Sequence, residues 1–88
     1  MSTTTIYQPV VVELLAGGGR DALPAAFWWQ GRRYDVAGYG RRWLADDAGE
    51  LWQCLLAQTR RGDTVELRRH DRTGEWQLAR AWWQLTAV

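Results

Sequence analysis

Short runs of alternating apolar and polar residues, separated by turn-forming residues, make up most of the chain. After Pro9, the side chains of Val10, Val12 and Leu14 would share one side of an extended segment. Runs of this kind cover residues 10–15, 25–36, 51–58, 64–70 and 75–83. β-Branched and aromatic residues are frequent in them, and short turns join most of them. The pattern predicts a mainly β fold, a single small antiparallel β-meander of about six strands curled into a barrel or a strongly bent sheet.

Residues 25–36 have the pattern of a tight hairpin, with Gln30-Gly31 as its turn. Counting outward from the turn pairs Trp28 with Arg33. Because side chains alternate between the two faces of a strand, Trp28 and Arg33 would lie together on the outer face. The core face of this hairpin would carry Phe27, Trp29, Tyr34 and Val36.

A second hairpin is predicted between residues 51 and 70. In its register Cys54 faces Arg68, and His70 faces Trp52. Cys54 and His70 then share a face but lie two positions apart, which is too far for a hydrogen bond. We therefore expect Cys54 to be a small buried hydrophobic residue and His70, which precedes a turn, to be solvated.

The remaining segments complete a single domain. Residues 1–8 are polar and rich in Thr, and we interpret them as a flexible N-terminal tail before one small β domain at 9–88. The segment Gly38–Ala45 is compatible with a continued strand or a short helical turn. Only 11–16 and 51–58 compete as helices, and both lack a capping residue.

The chain has seven Trp in 88 residues. A domain of this size is marginally stable, and each Trp can bury on the order of 200 Å². We therefore expect most of the Trp side chains to form the core. Alternation along the last run places Trp76 and Trp82 with Trp29 in that core and leaves Arg80 as the exception.

The chain contains two pairs of adjacent Trp, and the two members of a pair cannot both face the core. Within a strand, Trp28 and Trp29 point to opposite faces, and so do Trp82 and Trp83. Trp28 and Trp83 are therefore predicted to leave the core. They would form an exposed aromatic surface for a partner or a second copy, or they would simply be partly exposed.

Several kinds of chemistry are excluded or disfavoured. One cysteine and one histidine, Cys54 and His70, allow no internal disulfide and no usual zinc site. The chain has no Gly-rich phosphate motif and no catalytic pair, so we expect no enzyme activity, no catalytic residue, no cofactor and no small-molecule substrate. It also has no apolar run of membrane-spanning length and no signal-peptide pattern, which predicts a cytoplasmic protein without membrane contact.

Arginine carries all of the basic charge, with 11 residues and a formal net charge of +1. Four doublets occur, at Arg32-Arg33, Arg41-Arg42, Arg60-Arg61 and Arg68-Arg69. In a strand, one member of each doublet points outward, and outward Arg beside exposed Trp is typical of surfaces that bind single-stranded nucleic acid. The alternative is that these guanidinium groups are solvated, stack on Trp within the fold or pair with acids.

Two motifs resemble a family of short bacterial domains. They are Pro24-x-x-Phe27-x-Trp29-x-Gly31-Arg32-x-Tyr34-x-Val36 and the closing Trp76-x-Leu78-x-Arg80-x-Trp82. A similar domain forms the C-terminal tail of ImuB, a catalytically dead relative of the Y-family DNA polymerases that works in mutagenic DNA repair. The resemblance covers about residues 9–83 and implies a non-enzymatic accessory module close to DNA repair. It carries no catalytic residues over to this chain.

Together these features predict a non-catalytic accessory binding module associated with DNA repair or replication. Its partner would be single-stranded DNA or a DNA-repair protein. The alternative is a protein-interaction or self-association module that uses Trp28, Trp83 or an unpaired strand edge at 10–15. The candidate binding residues are Trp28, Arg33, Arg41, Arg42, Arg60, Arg61, Arg68 and Trp83.

Overall fold

A computed structural model describes residues 2–17 and 22–83. Seven β-strands are present: β1 (Ser2–Pro9), β2 (Val11–Leu14), β3 (Pro24–Trp29), β4 (Arg32–Asp47), β5 (Glu50–Thr59), β6 (Thr64–His70) and β7 (Trp76–Trp83). All neighbouring strands pair antiparallel in the order β1-β7-β6-β5-β4-β3-β2. The sheet is curled into a half-barrel, which confirms the predicted fold class.

Strand β4 is the longest, with 16 residues, and it belongs to both parts of the curled sheet. Its first residues pair with β3, and from Val36 onward it pairs with β5. Register shifts beside Val36 and Tyr39 bend the strand between these two parts. The segment Gly38–Ala45, for which the sequence left strand and helical turn open, lies within this strand.

The core lies on one face of the sheet, called here the core face. Its buried cluster draws one or two residues from each of β3 to β7: Phe27, Tyr34, Ala57, Val65, Leu67, Leu78 and Ala81. The rings of Phe27 and Tyr34 stack with centroids 5.0 Å apart. Trp29, Trp76 and Val36 are partly buried against the cluster, so the prediction that they belong to the core is confirmed.

Both predicted hairpin registers are confirmed. Trp28 lies across from Arg33 between β3 and β4, and Cys54 lies across from Arg68 between β5 and β6. Sequence-local pairs of this kind follow directly from turn position and alternation, because one face of each strand has to meet the core.

The segment predicted as a flexible tail forms strand β1, and this corrects the sequence interpretation of residues 1–8. Ser2–Pro9 pairs with β7, from Ser2 opposite Trp83 to Pro9 opposite Gln77. A Thr-rich strand suits a sheet edge, where one side of the strand faces solvent. Its partner is about 70 residues away along the chain, so no local turn signal points to the pairing. Residues 84–88 of the predicted 9–88 domain lie outside the described residues.

A bulge in β7 corrects the predicted placement of Trp82 and Trp83. Leu78 lies across from Leu67, but Arg80 lies across from the preceding residue Glu66, so Ala79 is an extra residue. From there the alternation reverses. Trp83 packs on the core face, whereas Trp82 faces away from it. The same reversal explains why Arg80 broke the apolar alternation in the sequence.

Two strand connections are two-residue turns whose central residues both have positive φ. They are Gln30-Gly31, with φ of 51° and 74°, and Ala48-Gly49, with φ of 53° and 84°. Positive φ at both positions is typical of type I′ hairpin turns, in which Asn is favoured at the first position. Ala48 is a non-glycine residue in this left-handed region and has no side-chain hydrogen bond to compensate its cost.

We expect Ala48→Asn to stabilise the fold by about 0.5–1 kcal/mol, because Asn tolerates the left-handed conformation better than Ala. Urea unfolding of both proteins would measure the difference. Ala48→Val is the matched control and should destabilise, since a β-branched residue is strained at positive φ. A stabilising effect of Val equal to that of Asn would contradict the turn assignment.

Candidate binding surfaces

Some of the predicted binding residues come together at one end of the half-barrel. The β3–β4 turn and the β5–β6 loop meet there and present the basic end, defined here as Arg32, Arg33, Arg60 and Arg61. Asp35 links the two segments. Its carboxylate accepts a hydrogen bond from Arg33 Nε at 2.8 Å, and its carbonyl oxygen accepts one from the Arg60 amide at 3.0 Å. Trp28 lies beside this end, across from Arg33.

Within the basic end, the Arg33 side chain is engaged inside the fold. Its guanidinium lies 4.9 Å from the centre of the Trp28 ring and pairs with Glu13 at 2.8 Å as well as with Asp35. These hydrogen bonds, that to Asp35 first, raise the pKa of Arg33. Trp28 is half-buried beneath it. One face of the Trp28 ring is therefore already covered and cannot stack on a base.

The Arg41-Arg42 doublet lies elsewhere, with Arg41 eight residues beyond Arg33 along β4. Arg41 is exposed, and its guanidinium lies 5.3 Å from the centre of the Trp43 ring. Arg42 is exposed too and lies across from Leu55, on the opposite side of the sheet from Trp43. The candidate residues therefore do not form one continuous surface.

Arg68 is buried and Trp83 packs on the core face, which corrects the prediction that both side chains belong to an exposed surface. Arg68 is 8% exposed. Its guanidinium is sandwiched between Trp52, at 4.0 Å from the ring centre, and Tyr7, at 4.6 Å. It also binds Asp47 at 3.1 Å and Gln77 at 2.9 Å. Strand alternation predicted an outward side chain correctly, but Tyr7 covers it, and Tyr7 belongs to the segment that the sequence indicated as a tail.

Trp83 belongs to the aromatic cluster of the core face. Its ring stacks on Trp29 with centroids 5.3 Å apart and lies 5.8 Å from Tyr34. The bulge at Ala79 places it there. An exposed Trp28–Trp83 surface is therefore absent from the described residues.

His70 is buried, which corrects the prediction that it is solvated. Its ring meets Trp52 edge-on at 4.9 Å. Nδ1 accepts the amide hydrogens of Arg72 and Thr73, and Nε2 lies 2.6 Å from the Glu50 carboxylate. With Nδ1 as an acceptor, Nε2 carries the proton and donates to Glu50. His70 thus fastens the β6–β7 turn and serves the fold.

Cys54 is buried as predicted, with 4% of its surface exposed. Burial, followed by the charge of Glu66, raises the pKa of its thiol. The thiol therefore stays protonated near neutral pH, and a protonated thiol is a poor nucleophile.

The face opposite the core face holds a cleft that sequence reasoning missed. This second-face cleft has a volume of about 550 Å³ and spans β1, β4, β5, β6 and β7. Tyr7 and Trp43 line it, with Glu66 and Arg68 and, from β7, Arg80. Arg80 donates a hydrogen bond to the Tyr7 hydroxyl at 3.2 Å. In the sequence, the cleft was indicated only by Tyr7 within the polar segment 1–8 and by Arg80 at a position where alternation predicts an apolar residue.

Strand β2 has a paired neighbour on one side only. It ends the sheet beside β3, and its residues are mostly exposed. Val11 is 69% exposed, and Leu14 and Leu15 are 43% and 46% exposed. An apolar edge strand of this kind offers both unpaired backbone groups and hydrophobic side chains.

Within residues 2–17 and 22–83, no three His, Cys, Asp or Glu side chains are placed to hold a metal ion. The same residues include no helix long and apolar enough to cross a membrane.

Comparison with known protein-family models, curated proteins and solved structures finds no match to the chain.

We expect Arg68→Ala to destabilise the fold by about 2–3 kcal/mol, because it removes a buried cation–π sandwich and leaves Gln77 without its partner. Arg33→Ala is the matched control. It also removes a guanidinium from a Trp ring and from two carboxylates, but its partners are largely solvated, so we expect a much smaller loss than for Arg68→Ala. Chemical unfolding would measure both, and equal losses would contradict a buried structural role for Arg68.

Proposed function

We propose that this chain is a non-catalytic accessory binding module that binds an extended segment of a partner protein along β2. The observation that carries the proposal is the end strand itself, with Val11, Leu14 and Leu15 exposed beside an unpaired edge. Such an edge can be satisfied by a strand from another chain, which supplies backbone hydrogen bonds and alternating side chains.

The two edges of the sheet differ in a way that favours β2. Edge strand β1 carries Thr3, Thr4 and Thr5, a register shift before Gln8, and Pro9. Polar residues, irregular register and proline are the usual protection of an edge against pairing. Strand β2 presents Val11 and Leu14 instead, so β2 is the edge open to a partner.

The resemblance of the Phe27–Val36 motif to the ImuB tail domain supports a role beside DNA repair in the cytoplasm. In that setting the partner would be a repair or replication protein. The scatter of the outward Arg residues over separate places also supports a protein partner. Arg33 and Arg68 are both paired with carboxylates within the fold, so neither is free for a phosphate.

Peptides selected from a random display library on the immobilised protein would test docking at β2. We expect extended sequences rich in β-branched or aromatic residues, because such side chains pair best across the exposed apolar residues of an edge strand. Fluorescence anisotropy of a labelled selected peptide should show at least about tenfold weaker binding to Val11→Lys/Leu14→Lys, since charge on an edge opposes pairing.

Two controls separate strand pairing from general stickiness. The same peptide, N-methylated at alternate residues, should lose binding, because it cannot donate main-chain hydrogen bonds. Thr3→Lys/Thr5→Lys, on the other edge strand, should leave the affinity unchanged. Selected peptides that bind this variant and the β2 variant equally well would show that β2 is not the docking edge.

A second candidate function is binding of single-stranded nucleic acid, and the basic end favours it. Arg32, Arg60 and Arg61 are exposed and make no ion pair with a carboxylate in the described part of the chain. Three such guanidinium groups, at the start of β4 and on the adjoining β5–β6 loop, could contact successive phosphates. Since Trp28 lies beneath Arg33, this binding would be electrostatic rather than based on stacking.

Titration of a fluorescent single-stranded oligonucleotide at about 20 mM salt would test this candidate, because phosphate-driven binding is strongest there. Arg60→Gln/Arg61→Gln should weaken binding and reduce the salt slope by roughly 1.4, since each phosphate that is no longer neutralised lowers the slope by about 0.7. The matched control Arg41→Gln/Arg42→Gln removes the same charge elsewhere and should have little effect. No binding at low salt, or equal weakening in both variants, would exclude the basic end.

A further inference from the structure

The buried carboxylate of Glu66 lacks a partner among the described residues. The residue is 8% exposed and lines the second-face cleft. It makes no hydrogen bond or ion pair with any residue in the described ranges, although Arg68 and His70 on the same strand face both do. Every fully buried polar side-chain atom described has a hydrogen-bond partner, so the Glu66 oxygens must reach the cleft surface. They are therefore hydrogen-bond acceptors open to the cleft and not used within the described part of the fold.

Neighbouring cations do not occupy this carboxylate. Arg80 lies across from Glu66 between β6 and β7 and is attracted to it, but its guanidinium donates to the Tyr7 hydroxyl instead. Arg68 is committed to Asp47 and Gln77. Nearby positive charges lower the free-energy cost of burying the charged Glu66 carboxylate, but they do not donate hydrogen bonds to its oxygens.

The rest of the cleft favours a cation over an anion. Three carboxylates, of Asp46, Asp47 and Glu66, line it against two guanidinium groups. Its two aromatic walls, Tyr7 and Trp43, each already hold a guanidinium near one ring face, from Arg68 at 4.6 Å and Arg41 at 5.3 Å. The same cation–π attraction that these rings make to guanidinium groups of the chain would also act on a guanidinium group of another molecule.

We propose that the second-face cleft binds an arginine side chain of a partner protein, with the guanidinium on Glu66 between the Tyr7 and Trp43 walls. A guanidinium offers two parallel N–H donors to one carboxylate, and its planar group suits aromatic walls better than an ammonium does. A cleft of about 550 Å³ has room for the side chain, and Ala45 and Cys54 provide apolar contact for its methylene stem.

This site is separate from the β2 edge, because β2 contributes no residue to the cleft. Failure of peptide docking at β2 would leave the cleft proposal standing, and the reverse also holds. If both are right, one partner could supply an extended segment and an arginine to different faces of the domain.

Titration with acetyl-arginine methylamide, followed by NMR shifts of the Trp indole N–H groups, tests the proposal directly. We expect saturable shifts centred on Trp43, with Trp28 unaffected, and a dissociation constant in the millimolar range, as befits one side chain. Acetyl-lysine methylamide should bind at least about threefold more weakly, and acetyl-citrulline methylamide, which has the same shape without the charge, should not bind. Absence of saturation by about 50 mM, or equal binding of citrulline, would overturn the proposal.

The variant Glu66→Gln identifies the recognition group. It should weaken binding of acetyl-arginine methylamide at least about fivefold, since it removes the charge and one of two acceptors. Glu13→Gln, which alters an exposed carboxylate outside the cleft, is the matched control and should leave binding unchanged. Unaltered binding by Glu66→Gln would overturn the proposal.

The folding stability of Glu66→Gln provides a second test, which does not depend on the strength of binding. Because Glu66 makes no hydrogen bond or ion pair in the described part of the chain, Glu66→Gln should unfold at close to the same urea concentration as the parent protein. A variant that fails to fold, or unfolds at markedly lower urea, would show that Glu66 serves an internal contact, and would count against a carboxylate held for a ligand.

Discussion

The two edge strands of the sheet are consecutive in the chain and only Val10 lies between them. A single residue cannot cross the width of a flat seven-stranded sheet, so the sheet has to curl until its edges meet at Val10. The Val10 amide donates to the Trp76 carbonyl at 3.1 Å, and Trp29 Nε1 donates to Gln8 at 2.9 Å, close to this corner. The enclosed core face follows from this connection, and so does the position of Tyr7 over Arg68.

Arginine and aromatic residues take the place of disulfides and metals in holding this small domain. On the second face, Arg68 joins β6 to β1 through Tyr7, to β5 through Trp52 and to β4 through Asp47. On the outer face of β3 and β4, Arg33 joins Trp28 to Glu13 of β2. A guanidinium can stack and donate several hydrogen bonds at once, so one side chain ties three or four strands together. Arginine doublets therefore say little by themselves about nucleic acid.

Local features of the fold were predictable from the sequence. The turn at Gln30-Gly31, the pairing of Trp28 with Arg33 and that of Cys54 with Arg68 follow from alternation and short loops. The predictions that the structure corrected mostly concern strand pairing between distant parts of the chain or the effect of one extra residue in a strand. Pairing of β1 with β7 has no local signature, and the bulge at Ala79 reverses every side chain after it. Arg68 and Trp83 were misplaced for these reasons, whereas His70 is buried by Trp52 and Glu50 of β5 and by the turn that follows it. The cleft was out of reach of the sequence, because Tyr7, Trp43 and Glu66 meet only once the sheet has curled.

Strand β1 also bears on how the chain reaches its folded state. It is synthesised before the rest of the sheet, yet its only paired neighbour, β7, is the last strand of the described chain. While β2 to β6 can form successive hairpins as they emerge, β1 must wait for residues some 70 positions later. Loop closure of this length is slow compared with hairpin formation, so the final step of folding should be the docking of β1. Until then β7 would be an uncovered edge in a nascent or refolding molecule, and during that interval the chain is most open to association with other chains.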